Sequence, residues 1–151
     1  MPFAINEDAY HDSRKSLNPT PCAFEKAILA RCVSCKLADR RLLAERETIN
    51  CHEVKAQETC TRLRVALRAN SAFALKITSG TDDLLPHNKE MKVQCGGLRG
   101  LQWAVNGSEE VANVHQLLSD ALTRFGDIAS LPYAIIVQSV SSFNIRQRNN
   151  T

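Results

Sequence analysis

The chain has 151 residues, 44% apolar, 23% charged and 5% aromatic, with a formal net charge of +3, which fits one ordinary domain and is too polar for a membrane protein. At this length a fold removes about 70% of the unfolded surface from water, so neither disulfides nor a metal are needed merely to hold it together. Six Gly, five Pro and six Cys exclude collagen-like and low-complexity chains and fall short of the density of a disulfide scaffold.

The N-terminus, MPFAINEDAYHDSRKSL, carries acids and lacks the apolar run of about 7 to 15 residues that marks a secretory signal. The most apolar stretch, LPYAIIVQSV, is too short to cross a bilayer. A cytoplasmic protein is expected, in which thiols are packing residues, metal ligands or redox groups rather than disulfides. Charge is polarised along the chain: residues 14–76 hold 13 Lys/Arg against 6 Asp/Glu, whereas residues 77–151 hold 6 against 7. The basic segment is also the cysteine-rich one. It suits a nucleic-acid face, a positive surround for thiolates, or a solvated surface of mixed charge.

Residues 1–19 show no sustained period and read as an arm, followed by a single helical domain over 20–145 and a frayed polar tail at 146–151. Thr20 and Pro21 suit a helix start, and Phe24, Ile28, Cys32, Cys35, Asp39 and Leu42 fall on one helical stripe. A break is expected at Thr48-Ile49-Asn50, with Asn50 and Glu53 as a cap. A second helix then carries Ala56, Cys60, Leu63 and Leu67 inward. Residues 78–83 read as a loop.

After Pro86 a third helix places Met91, Cys95, Leu98 and Val105 on one side. Gly96, Gly97 and Gly100 weaken it by about 1 kcal/mol each relative to Ala, which predicts either close approach of another backbone or an irregular turn at Cys95. Asn106-Gly107-Ser108 ends this helix. A fourth runs through Val111, Val114, Leu117, Leu118, Ala121 and Leu122 to Gly126, and Pro132 opens a fifth with Tyr133, Ile136, Val137, Val140 and Phe143. The expected fold is therefore all-α, a compact bundle of about five helices, with an N-terminal antiparallel helical hairpin carrying most of the cysteines.

If that hairpin turns near residue 47 or 48, Cys35 and Cys60 lie side by side and Cys32 is one turn away. Cys51 and Cys22 are then about 13 Å and 15 Å along the helix axes from their neighbours Cys60 and Cys32, and join only through a kink or fold-back. Cys95, beside a glycine pair that admits a bulky group, is the favoured fourth ligand. Thiolates select zinc, Cu(I) or iron–sulfur over hard cations, and the spacing C-x9-C-x2-C-x15-C-x8-C matches neither a zinc ribbon nor a bacterial ferredoxin run. The expectation is a metal site of Cys32, Cys35, Cys60 and Cys95 holding an iron–sulfur cluster, with zinc as the alternative. Such a protein would serve electron transfer, redox sensing or cluster assembly, with a redox or assembly protein as partner and no membrane.

Other chemistries are less well supplied. Buried cysteine packs like a small hydrophobe, and that bland reading competes for every one of the six. Cys32-Val33-Ser34-Cys35 lacks the βαβ setting of a dithiol oxidoreductase. Inward Glu-x-x-His pairs are absent, and His11, His52, His87 and His115 read as surface or capping residues, His52 being the closest to a ligand. Gly96-Gly97-Leu98-Arg99-Gly100 lacks the ending of a phosphate loop. Catalysis on an organic substrate is not supported. The rival reading is a metal-free helical interaction module or nucleic-acid-binding accessory using the basic 14–76 face.

Overall fold

The computed structural model describes residues 19–77 and 85–144. The expected arm apart from Pro19, the tail, and the loop at 78–83 lie outside the described residues. Among the described residues there are five α-helical elements: α1 (Glu25–Leu29), α2 (Val54–Ser71), α3 (87–106), α4 (Val114–Phe125) and α5 (Tyr133–Ser142). Between α1 and α2 stands a two-stranded antiparallel sheet, β1 (Ala38–Leu43) and β2 (Arg46–Cys51). The all-α expectation is thus overturned. The molecule is mixed α and β, and the segment read as one long helix is a five-residue helix followed by a β-hairpin.

Two left-handed turns explain the difference. The first ends α1: Arg31 has φ +64, its N–H donates to Ile28 O at 3.0 Å, and the Cys32 N–H donates to Ala27 O at 3.0 Å. That pair of bonds is a Schellman closure, usually signalled by glycine; an arginine there gives the sequence no stop sign. The second closes the hairpin. Ala44 and Glu45 have φ of +50 and +70, the φ signature of a type I′ turn, where Asn-Gly is the usual choice. Helix-forming Leu, Ala, Glu and Arg fill this stretch, so local propensity favours a helix and tertiary contacts override it.

Those contacts can be named. Thr48, Ile49 and Asn50 on β2 are buried, and the Glu25 carboxylate of α1 accepts the Ile49 N–H at 2.9 Å. Arg40 of β1 donates to Ile28 O at 3.0 Å, clamping the hairpin onto the end of α1. The expected cap at Asn50 is not formed; Asn50 Oδ1 instead accepts the Thr20 N–H at 3.1 Å, and Glu53 precedes α2.

α3 crosses the centre of the core. It is α-helical over His87–Met91, π-helical over Lys92–Gly96 and α-helical again over Gly97–Asn106, so the irregular turn expected at Cys95 is present. Close approach is present too. A Cβ on Gly96 would lie 2.7 Å from Val140 Cα of α5, and one on Gly97 would lie 2.8 Å from Leu67 Cδ1 of α2. α2 presents Ala56, Leu63 and Leu67 inward as its period predicts. α4 starts at Val114 rather than near Ser108, because Val111 is drawn into a parallel bridge with Val33. One core runs from Phe24 to Phe143 and includes residues of every helix.

Candidate metal centre

The hairpin and its two flanking segments bring four cysteines to one place. Cys22, Cys35, Cys51 and Cys60 line a cavity of about 20 Å³ whose remaining walls are apolar apart from Gln57 and His115. Each thiol arrives on its own piece of backbone. Residues 20–22 run beside β2, with the Cys22 N–H donating to Ile49 O at 2.9 Å and the Cys51 N–H donating to Thr20 O at 2.7 Å. Cys51 ends β2 opposite Ala38, and the His52 N–H donates to Leu37 O at 2.9 Å, which holds the hairpin base shut.

Cys35 is fixed from the other direction. The Ser34 N–H donates to Val111 O at 3.0 Å and the Val114 N–H donates to Ser34 O at 2.9 Å. The Lys36 N–H donates to Asn113 Oδ1 at 3.0 Å. The loop carrying Cys35 is thereby tied to the start of α4, which also contributes His115. Cys60 stands on α2, whose Gln57 side chain donates to Pro21 O at 3.0 Å and so couples the helix to the Cys22 segment.

All six cysteines are outside disulfides. Burial pushes the Cys22 thiol up to about 12, with the Phe24 backbone opposing and Cys35, Cys51 and Glu25 adding to the rise. Burial likewise pushes Cys60 up to about 12, reinforced by Cys22, Cys35 and Cys51, and it raises Cys51, with the Glu53 backbone opposing. The Cys51 thiol donates to Glu53 O at 3.2 Å. The four sulfurs therefore feel one another. A second negative charge in this apolar space is costly, and a bound cation would remove that cost.

Among the described residues no three His, Cys, Asp or Glu side chains converge closely enough to hold a metal ion as they stand. Neutral thiols have no mutual attraction that would draw them to the roughly 2.3 Å metal–sulfur distance of a coordination shell. The sulfurs surround a small space instead of meeting at a point.

The expected ligand set is only half assembled. Cys35 and Cys60 share the cavity, whereas Cys32 and Cys95 belong to the hydrophobic core, 8% and 0% exposed. Cys32 follows the left-handed Arg31 and packs inward; Cys95 sits on the π-helical turn of α3. Cys22 and Cys51 take their places in the cavity, because the break after Ala30 removes the axial separations that a continuous helix imposes. His115, read from sequence as a surface or capping residue, lies in the cavity wall. The β-branched Thr48-Ile49 pair before Cys51, read from sequence as a helix break, is a local sign of a strand in this segment.

The remaining motifs find structural uses. Gly96 and Gly100 are sites of helix packing; a Cβ at Gly100 would lie 2.8 Å from Ser139 Cβ and 3.1 Å from Ile136 Cα. In the basic segment, Arg68 is buried, while Arg40, Arg41 and Arg64 face Glu47, Asp39 and Glu90 across 3.2, 2.9 and 3.7 Å. Among the described residues no helix is long and apolar enough to cross a membrane. Comparison with protein-family models, curated proteins and solved structures finds no match to this chain.

Proposed function

We propose that the chain is a thiolate metal protein whose ligands are Cys22, Cys35, Cys51 and Cys60. The observation that carries this reading is their joint lining of one small cavity whose other walls are apolar apart from Gln57 and His115, reached from four separate segments. Four sulfurs in a cavity wall that contains no carboxylate select a soft or borderline metal over calcium or magnesium. A space of about 20 Å³ matches roughly one water-sized sphere, which favours a single zinc or iron ion. An iron–sulfur cluster, the centre expected from the sequence, needs the sulfurs to move outward. Three of the four donors stand on loops or at a strand end, where backbone adjusts at least cost.

The test is metal content after anaerobic purification, together with cobalt reconstitution of the metal-free chain. Four-thiolate coordination gives intense sulfur-to-cobalt charge-transfer bands; iron with acid-labile sulfide identifies a cluster. Serine at any of positions 22, 35, 51 and 60 should lower metal retention, while Cys32→Ala and Cys95→Ala should keep it. Retention by all four serine variants, or no metal uptake by the parent chain, would sink the reading.

A further inference from the structure

Across Cys22, Ala23 and Gln57 the thiol cavity adjoins a second cavity of about 370 Å³, within the size range of small-molecule sites. Thr61 and Arg64 reach it from α2, Glu90 and Gln94 from α3, and Glu25 and Lys26 from α1. The charged groups of its wall are two carboxylates, one ammonium and one guanidinium, so they sum to zero.

Two of these charges stand side by side without being joined. Glu90 is 8% exposed, and its Oε2 accepts from Gln94 Nε2 at 2.7 Å. Gln94 is fixed in turn by accepting the Ala27 N–H at 3.1 Å, which anchors the carboxylate to α1 as well as to its own helix. Arg64 Nη1 lies 3.7 Å from the same carboxylate oxygen, beyond hydrogen-bond distance. Among the described residues the Arg64 guanidinium makes no hydrogen bond and Glu90 Oε1 accepts none. A guanidinium carries five donors, and leaving it unbonded beside a buried carboxylate is costly. The other two charges have contacts of their own: Glu25 accepts the Ile49 N–H at 2.9 Å, and Lys26 Nζ lies 3.4 Å from His87 Nδ1.

The group that satisfies both Arg64 and Glu90 is an inverted dipole of matching length. In an α-amino acid the ammonium nitrogen and a carboxylate oxygen are about 3 Å apart, as standard bond lengths dictate, close to the 3.7 Å between Arg64 and Glu90. A simple anion drawn to Arg64 is repelled by Glu90, and a simple cation meets the reverse. Pro21, Ala23 and Leu85 supply apolar wall. We infer that this cavity binds a free α-amino acid with an apolar side chain, its carboxylate on Arg64 and its ammonium on Glu90. The Thr61 hydroxyl donates to Gln57 O at 2.8 Å and keeps its lone pairs as a further acceptor for the ammonium.

The test is an NMR titration of the isotope-labelled full-length chain with alanine, valine, leucine and methionine. At least one should bind at a single site and shift the amide signals of Thr61, Arg64, Glu90 and Gln94. For the tightest binder, the decarboxylated amine and the deaminated acid should each bind about ten-fold more weakly, since one charge-assisted contact is worth about 1.4 kcal/mol. Thr61→Trp fills the cavity without altering the charged pair and should abolish binding, whereas Ser119→Trp, outside this cavity on α4, should not. Glu90→Gln should bind the amino acid and its deaminated analogue alike. Cys35→Ser removes a proposed metal ligand and should leave binding unchanged, so the two sites succeed or fail separately. Absence of binding by all four amino acids, equal affinity for the amino acid and both truncated analogues, or parental binding in Thr61→Trp would overturn the assignment.

Discussion

Alkali offers the sharpest test of how the thiols are buried. Cys22 and Cys60 rise from 9.0 to about 12 in the fold, so at pH 10 a thiol in the unfolded chain is about nine-tenths ionised while its folded counterpart is about one-hundredth ionised. The folded state then binds more protons than the unfolded state, and stability falls as pH rises. The contribution is fully present below pH 9 and is lost progressively towards pH 12. For the metal-free protein the loss between pH 7 and pH 10 is on the order of 1 kcal/mol per thiol. Urea unfolding under reducing conditions at several pH values reads this directly. A double Cys22→Ala, Cys60→Ala variant removes only these two groups, so its curve should be flatter than the parent's by that amount for each. Parallel curves would show that the two thiols are no harder to ionise in the fold than out of it. Bound metal reverses the sign, because protons compete for the sulfurs and apparent affinity climbs with pH.

Further perturbations probe the scaffold that gathers the cysteines. Gly96→Ala forces a methyl against Val140 Cα and should cost about 1–3 kcal/mol, read as a lower urea midpoint; an unchanged midpoint would mean that α3 and α5 separate freely. Replacing Ala44-Glu45 with Asn-Gly suits the φ of +50 and +70 and should stabilise by about 1 kcal/mol or more, whereas a loss would argue against the hairpin. Gln94 is buried, with its Oε1 accepting the Ala27 N–H at 3.1 Å; Gln94→Leu strands that donor and should cost about 1–3 kcal/mol in the same assay. Zinc should raise the thermal midpoint of the parent and of Cys95→Ala but not of Cys35→Ser, since ligand binding to the folded state alone stabilises it.

The sequence is most legible where side-chain period and backbone chemistry agree. α2, α4 and α5 carry apolar residues at helical spacing, Gly107 and Gly126 provide left-handed stops with φ of +77 and +101, and the glycines of α3 mark both its irregular turn and its packing face. The stretch from Ala30 to Cys51 is where this agreement fails. Phe24, Ile28, Cys32 and Cys35 keep a helical spacing although the helix ends at Leu29. Local preference for helix in LLAERE is outweighed by burying Thr48 and Ile49 and by the bonds from Arg40 and Glu25.

Composition and pattern by themselves determine a single core, most of its helices and a thiol-rich basic half. Which thiols meet is decided only in three dimensions. One left-handed arginine turns Cys32 into the core, and the hairpin carries Cys51 back beside residues 20–22. A cysteine's role depends on where the backbone reverses, and here both reversals use residues whose identities do not announce a turn.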